Sequence, residues 1–332
     1  MPVSVRSYAK INLGLAIGAK RSDGFHDLRT IYQTIALHDV IRVDVGRGTG
    51  IEIRCKDTRV PDDERNTCWR IADRVMRALK QRGKIVIQIE KNLPVEGGIG
   101  GGSSNAIATL FALERVLKTE LPARERLRIA SEVGSDLPLF LMGGTVLGCG
   151  RGEEVYPLPD LPCIACVIAT PGIGVSTPEA FRKWDEFCAQ SGELTPASAS
   201  NTIAEFSRSA FGWLSGTLSG VPAASAPEQA GNGQACGDRA ETLLLDLVRA
   251  GIENDFERVV FPMYPELREV KRLLERNQSS YASLSGSGST LYGFFRMPEL
   301  AEEAAEALRK AGTAAVATST LSRRQYQDGR FA

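Results

Sequence analysis

Pro94-Val95-Glu96-Gly97-Gly98-Ile99-Gly100-Gly101-Gly102-Ser103-Ser104-Asn105-Ala106 is the stretch that decides the fold. Before it, Ile85, Ile87 and Ile89 alternate along Lys84 to Glu90, the period of a strand with one buried face. After it, Ala106, Leu110, Leu113 and Leu117 recur at helical spacing. A glycine loop that leaves a strand and opens a helix lets backbone N–H groups converge on an anion, because no side chain obstructs them and the helix end adds unpaired donors. An ATP triphosphate suits such a cradle, with Pro94, Gly97, Gly98, Ile99, Gly100, Gly101, Gly102, Ser103 and Ser104 as its binding residues. The loop is neither of the two commonest phosphate loops: no Lys follows its glycines, and its spacing is not G-x-G-x-x-G at a first strand. Gly-rich turns also join strands to helices for conformational reasons alone, so the meaning of this one rests on its companions.

The chain has 332 residues, 43% of them hydrophobic, enough for two ordinary domains with a core each. Forty basic residues balance forty acidic ones, which leaves no net charge to draw the chain to nucleic acid or an anionic membrane. The longest apolar run, Leu137 to Leu147, is broken by Pro138, Gly143 and Gly144 and falls short of the ~20 residues of a membrane-spanning helix. No hydrophobic signal core follows Met1. A cytoplasmic protein with no nucleic-acid or membrane partner is therefore expected; a monomer or weak homodimer is the working expectation, though nothing in the sequence dictates it. The cysteines are scattered, and the close pair Cys163 and Cys166 lies in an apolar, strand-like run that reads as buried and reduced rather than as a metal knuckle. With His26 and His38 the only histidines, a His-rich metal site is not expected, and no residue is assigned to a metal.

Residues 1 to about 60 read as strands and turns. Asn66 then caps a helix with the apolar stripe Cys68, Ile71, Ala72, Val75 and Leu79, ended by Gly83. Pro122 opens another helix that stops near Gly134. A boundary near residue 155, where Pro157, Pro159 and Pro162 precede a new strand, divides the chain into 1–155 and 156–332. Gly216 to Gly237 is rich in Gly, Ala, Ser and Pro and reads as a flexible surface insertion at about 215–238. Helices follow from about Arg239 and from Pro265 to Arg276. The remainder runs strand, glycine turn, strand (Ala282 to Phe295), helix (Pro298 to Ala311) and strand (Thr313 to Thr320), the order of a small antiparallel sheet backed by helices. The class is α+β.

Two further stretches carry chemistry. Ser7-Tyr8-Ala9-Lys10-Ile11-Asn12-Leu13-Gly14-Leu15 alternates as a strand, with Ile11, Leu13 and Leu15 on one face and Lys10 and Asn12 on the other. A solvated face is the ordinary expectation for one Lys and one Asn. Asp136, in the turn before Leu137, could complete a site with them. It could equally be an N-cap; a carboxylate near an ammonium and a triphosphate could instead take the proton of an attacking hydroxyl, and the two uses are compatible. The loop Ser283-Leu284-Ser285-Gly286-Ser287-Gly288-Ser289-Thr290 carries more hydroxyls than a hairpin turn needs, which suits contact with phosphate or substrate.

Taken in chain order, Ala9-Lys10-Ile11-Asn12-Leu13 as the first motif, Pro94 through Ala106 as the second and Ser285-Gly286-Ser287-Gly288-Ser289-Thr290 as the third resemble those of the GHMP small-molecule kinases, which include galactokinase, homoserine kinase and mevalonate kinase. One branch is matched more closely, the kinases of 4-diphosphocytidyl-2-C-methyl-D-erythritol in the non-mevalonate isoprenoid pathway. The similarity lies in Lys20-Arg21-Ser22-Asp23-Gly24-Phe25-His26-Asp27-Leu28, Gln33-Thr34-Ile35 and Leu37-His38-Asp39. It continues in Gly150-Arg151-Gly152-Glu153, Ser176-Thr177-Pro178 with Phe181, and Asn254-Asp255-Phe256-Glu257. The resemblance implies a two-domain GHMP kinase fold, an N-terminal ribosomal-protein-like α/β domain followed by a ferredoxin-like α+β domain. It implies ATP and Mg²⁺, with Asp136 as base and Lys10 lowering the pKa of the acceptor hydroxyl. On the acceptor side it implies that Asn12 orients the methylerythritol, that His26 bonds the cytosine, and that Phe25 and Phe181 hold the ring between them, with Ser285, Gly286, Ser287 and Gly288 also in contact. Many members have Tyr in place of Phe25. The alternatives are a related kinase with a mevalonate-type or homoserine acceptor, and a non-catalytic ligand sensor of the same fold.

Overall fold

The computed structural model describes residues 1–95, 97–191 and 253–331. The expected insertion at about 215–238 and the helix expected from about Arg239 lie outside these residues. The first half is organised by one long antiparallel hairpin, β1 (Val3–Lys20) and β2 (His26–Gly46). β2 also pairs with β4 (Lys84–Glu90) along Val40–Gly46 and with β5 (Thr145–Cys149) along Thr30–Gln33. β3 (Ile51–Cys55) lies parallel to β4, and β6 (Glu154–Pro157) pairs with β5, giving the order β3-β4-β2-β5-β6 with β1 along β2.

The helices follow the local signals. α1 (Thr67–Ala78) is capped by the Asn66 side chain, which accepts from the Cys68 amide at 2.9 Å, and it buries Cys68, Ile71, Ala72, Val75 and Met76. α2 (Gly101–Leu117) is buried along most of its length, with Ile107, Leu110 and Leu113 fully enclosed, each contributing about 1.5–3 kcal/mol. α3 (Ala123–Val133) and the short α4 (Leu137–Met142) complete this layer. No helix among the described residues is long and apolar enough to cross a membrane.

β7 (Ala165–Thr170) opens a second, fully antiparallel sheet, ordered β10-β7-β9-β8 with β8 (Tyr281–Leu284), β9 (Leu291–Phe295) and β10 (Ala314–Ser319). α5 (Thr177–Ser191), α6 (Glu257–Met263), α7 (Pro265–Arg276) and α8 (Pro298–Lys310) belong to this half. Ile11, Leu13, Ile31 and Ile35 of the first hairpin share a core cluster with Cys166, Ile168, Tyr292 and Phe294, so the two sheets pack on one another. The last helix, α9 (Arg323–Asp328), returns to the first half: Tyr326 is part of its core, and Phe331 bridges to Val5. One expectation fails here. Cys166 is buried in β7, but Cys163 lies before the strand begins and is exposed, so the two do not form a buried pair.

Candidate active site

The alternation of β1 sends Ile11 and Leu13 between the sheets and turns Lys10 and Asn12 into a cleft of about 1040 Å³. Neither polar residue is solvated: Lys10 is 3% exposed and Asn12 1%. The Lys10 ammonium donates to Asn12 Oδ1 at 2.7 Å and lies 3.3 Å from Asp136 Oδ2. Asn12 Nδ2 donates to Thr30 Oγ1 and Thr30 to the Gly14 carbonyl, both at 2.7 Å, so the amide oxygen is left to face the ammonium. Asp136 sits at the N-cap position of α4, yet its carboxylate makes no capping bond. Its second oxygen accepts from the Tyr32 hydroxyl at 3.1 Å. Burial, with the adjacent Asp136 carboxylate second, pushes the Tyr32 phenol well above its ordinary value and keeps it a donor. The Tyr32 ring is seated by Gly152, at φ +105°, where a Cβ would come within 2.5 Å of the phenolic oxygen.

The glycine loop crosses this pair. Lys10 N donates to the Ile99 carbonyl at 3.0 Å, and Gly98, at φ +75°, approaches the third motif so closely that a Cβ would lie 2.4 Å from the Ser285 carbonyl oxygen. α2 starts at Gly101 with no side-chain cap and no acidic residue in its first turn, which leaves its first amides for an anion. Pro94 and Gly97 through Ser103 line the cleft, as do Gly286 and Ser287. Three expected contacts do not. Ser104 turns inward, accepting from Ser7 Oγ at 2.7 Å, while its amide donates to the Gly100 carbonyl at 2.8 Å. Ser285 and Gly288 brace the first glycine loop instead, Ser285 Oγ donating to the Gly98 carbonyl at 3.2 Å.

The other end of the cleft is built by the hairpin turn and α5. His26 stacks on Phe181 with ring centroids 5.0 Å apart and planes 8° from parallel, and its Nε2 lies 2.7 Å from Asp185 Oδ1. Lys20 Nζ donates to the other Asp185 oxygen at 2.8 Å. Phe25 is 52% exposed, with the Arg151 guanidinium over its ring at 5.0 Å. Phe25 and Phe181 both line the cleft, and the imidazole of His26 lies against the Phe181 ring.

Sequence reasoning gave no part to Tyr32, Asp185, Asp39 or Asn254. Fully buried Asp39 accepts from Lys91 Nζ, the Asn92 and Leu93 amides and Asn105 Nδ2 at 2.7–3.0 Å, pinning the end of β4 to α2. Asn254 Nδ2 donates to the Leu284 and Gly286 carbonyls at 2.9 and 2.8 Å, fixing the third motif. Asp39 and Asn254 lie within stretches that carry the family resemblance; their contacts had no local signal.

A glycine loop run into a helix, a buried lysine beside a half-buried aspartate and a second glycine loop bracing the first lie on two packed sheets, and the fold is that of the GHMP kinases. The families described as "GHMP kinases N terminal domain" and "GHMP kinases C terminal" match residues 66–144 and 239–314. A homoserine kinase crystal structure from Cytophaga hutchinsonii shares the fold, with a TM-score of 0.69 over 97% of this chain and 95% of that one, at 17% identity. Within that class, the chain belongs to the 4-diphosphocytidyl-2-C-methyl-D-erythritol kinase family. It is 38% identical to the Solibacter usitatus protein of that name over 97% of this chain and 90% of that one. It is 34% identical to the Desulfitobacterium hafniense protein, over 97% of each chain. A crystal structure of 4-(cytidine 5'-diphospho)-2C-methyl-D-erythritol kinase matches with a TM-score of 0.69 at 29% identity, over 96% of this chain and 98% of that one.

Proposed function

We propose that the chain transfers the γ-phosphoryl group of ATP to the 2-hydroxyl of 4-diphosphocytidyl-2-C-methyl-D-erythritol, giving the 2-phosphate and ADP. The observation that carries this reading is the buried Lys10 ammonium 3.3 Å from the half-buried Asp136 carboxylate, between an uncapped helix terminus and an aromatic pocket in one cleft. Asp136 takes the proton of the acceptor hydroxyl, the oxygen attacks the γ-phosphorus, and the bond from that phosphorus to the β–γ bridging oxygen breaks to release ADP. Lys10 favours the ionised form of the attacking oxygen. The amides of Gly97 to Ser103 hold the phosphates, and Asn12, fixed by Thr30, orients the methylerythritol. The division near residue 155 then separates a nucleotide-binding half from one that completes the acceptor pocket.

Mg²⁺ fits this cleft as an ion carried on the triphosphate. No cluster of three or more His, Cys, Asp or Glu side chains occurs among the described residues, and Mg²⁺ commonly needs only one or two carboxylates beside phosphate oxygens. Asp136 is the carboxylate available at the Lys10 end, and the ion supplies neutralisation of charge on the phosphoryl oxygens. The test is a panel of acceptors with ATP and Mg²⁺, followed by phosphorus NMR. A new monophosphate signal from the cytidyl diphosphate alone is expected; turnover of homoserine or mevalonate instead, or of nothing, overturns the reading.

A further inference from the structure

Lys20 and His26 face each other in register across the hairpin, and Asp185 reaches both from α5, one carboxylate oxygen to each. Phe181 and Asp185 are four residues apart on α5 and therefore on one face, so one meets the flat of the imidazole and the other its edge. An ionised carboxylate only accepts, so the Nε2 facing it carries the proton and a neutral ring keeps its lone pair on Nδ1. Burial works against the charge of Asp185, but the bonds from Lys20 and His26 outweigh it and lower its pKa below the ordinary value. Nδ1 has no protein partner among the described residues, and His26 lines the cleft.

We propose that Asp185 is a positioning residue that locks His26 in the Nε2–H tautomer, so that Nδ1 accepts from the 4-amino group of cytosine and rejects uracil. The proposal rests on the cytidyl acceptor argued above. Cytosine presents an amino donor at the position where uracil presents a carbonyl oxygen, so a lone pair on Nδ1 matches the first and opposes the second. A site built around such a bond discriminates strongly, since the wrong base leaves buried polar groups unpaired. In Asp185→Asn the amide can donate to Nε2 as well as accept from it, and both tautomers become accessible.

His38 supplies an internal contrast: its Nδ1 lies 2.8 Å from the Ala36 carbonyl, which only accepts, so this ring carries its proton on Nδ1. With two histidines in the chain, imidazole ¹⁵N NMR of the whole protein in alkaline buffer resolves both states. His38→Gln assigns them. The expected spectrum has one ring protonated on Nε2, His26, and a mixture at that position in Asp185→Asn. A wild-type His26 protonated on Nδ1, alone or with Nε2, overturns the proposal whatever the enzyme does. In kinetics, Asp185→Asn is expected to raise KM for the cytidyl acceptor and to shrink its preference over the uridyl analogue at least about tenfold, with kcat and KM for ATP unchanged. An unchanged preference overturns the specificity claim. A locked His26 in a protein that phosphorylates neither acceptor sinks the proposed function instead.

Discussion

Lys10 and Asp136 differ in exposure, 4% and 33% for their side chains, so the ammonium is dry while the carboxylate remains open to a guest. That asymmetry suits a base approached from the cleft. Asp136→Asn and Lys10→Ala are each expected to lower kcat at least about a hundredfold with the fold intact by circular dichroism. A folded Asp136→Asn enzyme with near-normal turnover removes the base assignment. Tyr32→Phe deletes the bond that holds the other Asp136 oxygen, and kcat is expected to fall about tenfold while KM stays within about twofold. Asp255 gives a pH signature away from the chemistry. It is 6% exposed, accepts from the Ile17 amide at 2.8 Å, and burial raises its carboxyl to about 6. The folded chain therefore holds a proton that the unfolded chain, with a value of about 3.9, releases, and stability falls as pH rises from about 4 to 6. Asp255→Asn keeps an oxygen for Ile17 and should raise Tm at about pH 7.5 but not near pH 4; equal shifts at both refute the assignment. Of these residues, the sequence announced Lys10 and Asn12 through their alternation. Tyr32 and Asp185 stand 104 and 159 residues from Asp136 and His26, and no local period connects such pairs.

Elements with a strong local code were legible: Asn66 before α1, Pro122 and Gly134 around α3, and the strand–turn–strand at β8 and β9. What one element does to another was not. The string Gly101-Gly102-Ser103-Ser104 does not tell which hydroxyl faces the cleft, because that depends on how α2 is rotated against β1, where Ser7 claims Ser104. The sequence likewise gave no sign that the two glycine loops touch main chain to main chain. That contact makes a sharp prediction. In Gly98→Ala the new methyl meets the Ser285 and Gly288 carbonyl oxygens at 2.4 and 2.9 Å, and backbone cannot swing aside as a side chain can. A displacement of about 1 Å in the loop is enough for a loss of about a hundredfold in kcat/KM for ATP. A folded Gly98→Ala protein with wild-type ATP kinetics would show that the loop does not position the nucleotide.

At the scale of the whole molecule, the last residues belong with the first. Arg6 donates to the Arg330 carbonyl at 2.7 Å, Tyr8 to the Gly329 carbonyl at 3.0 Å, and the Arg330 guanidinium lies 4.1 Å from the centre of the Phe111 ring. Removing residues 322–332 uncovers these groups and takes Tyr326 from the first core, so Tm is expected to drop by at least about 5 °C in a calorimetric scan. An unchanged Tm would mean that α9 is ornamental. β1 has a further consequence. A single strand carries Lys10 near its middle and Lys20 at its end, and between them the chain is covalent and hydrogen-bonded to β2 along almost its entire length. The separation of the two is thus a fixed gauge, indifferent to loop motion. In the proposed reaction an acceptor would be measured against it like a key against the depth of a lock: a sugar alcohol without its nucleotide would reach one mark and leave the other empty.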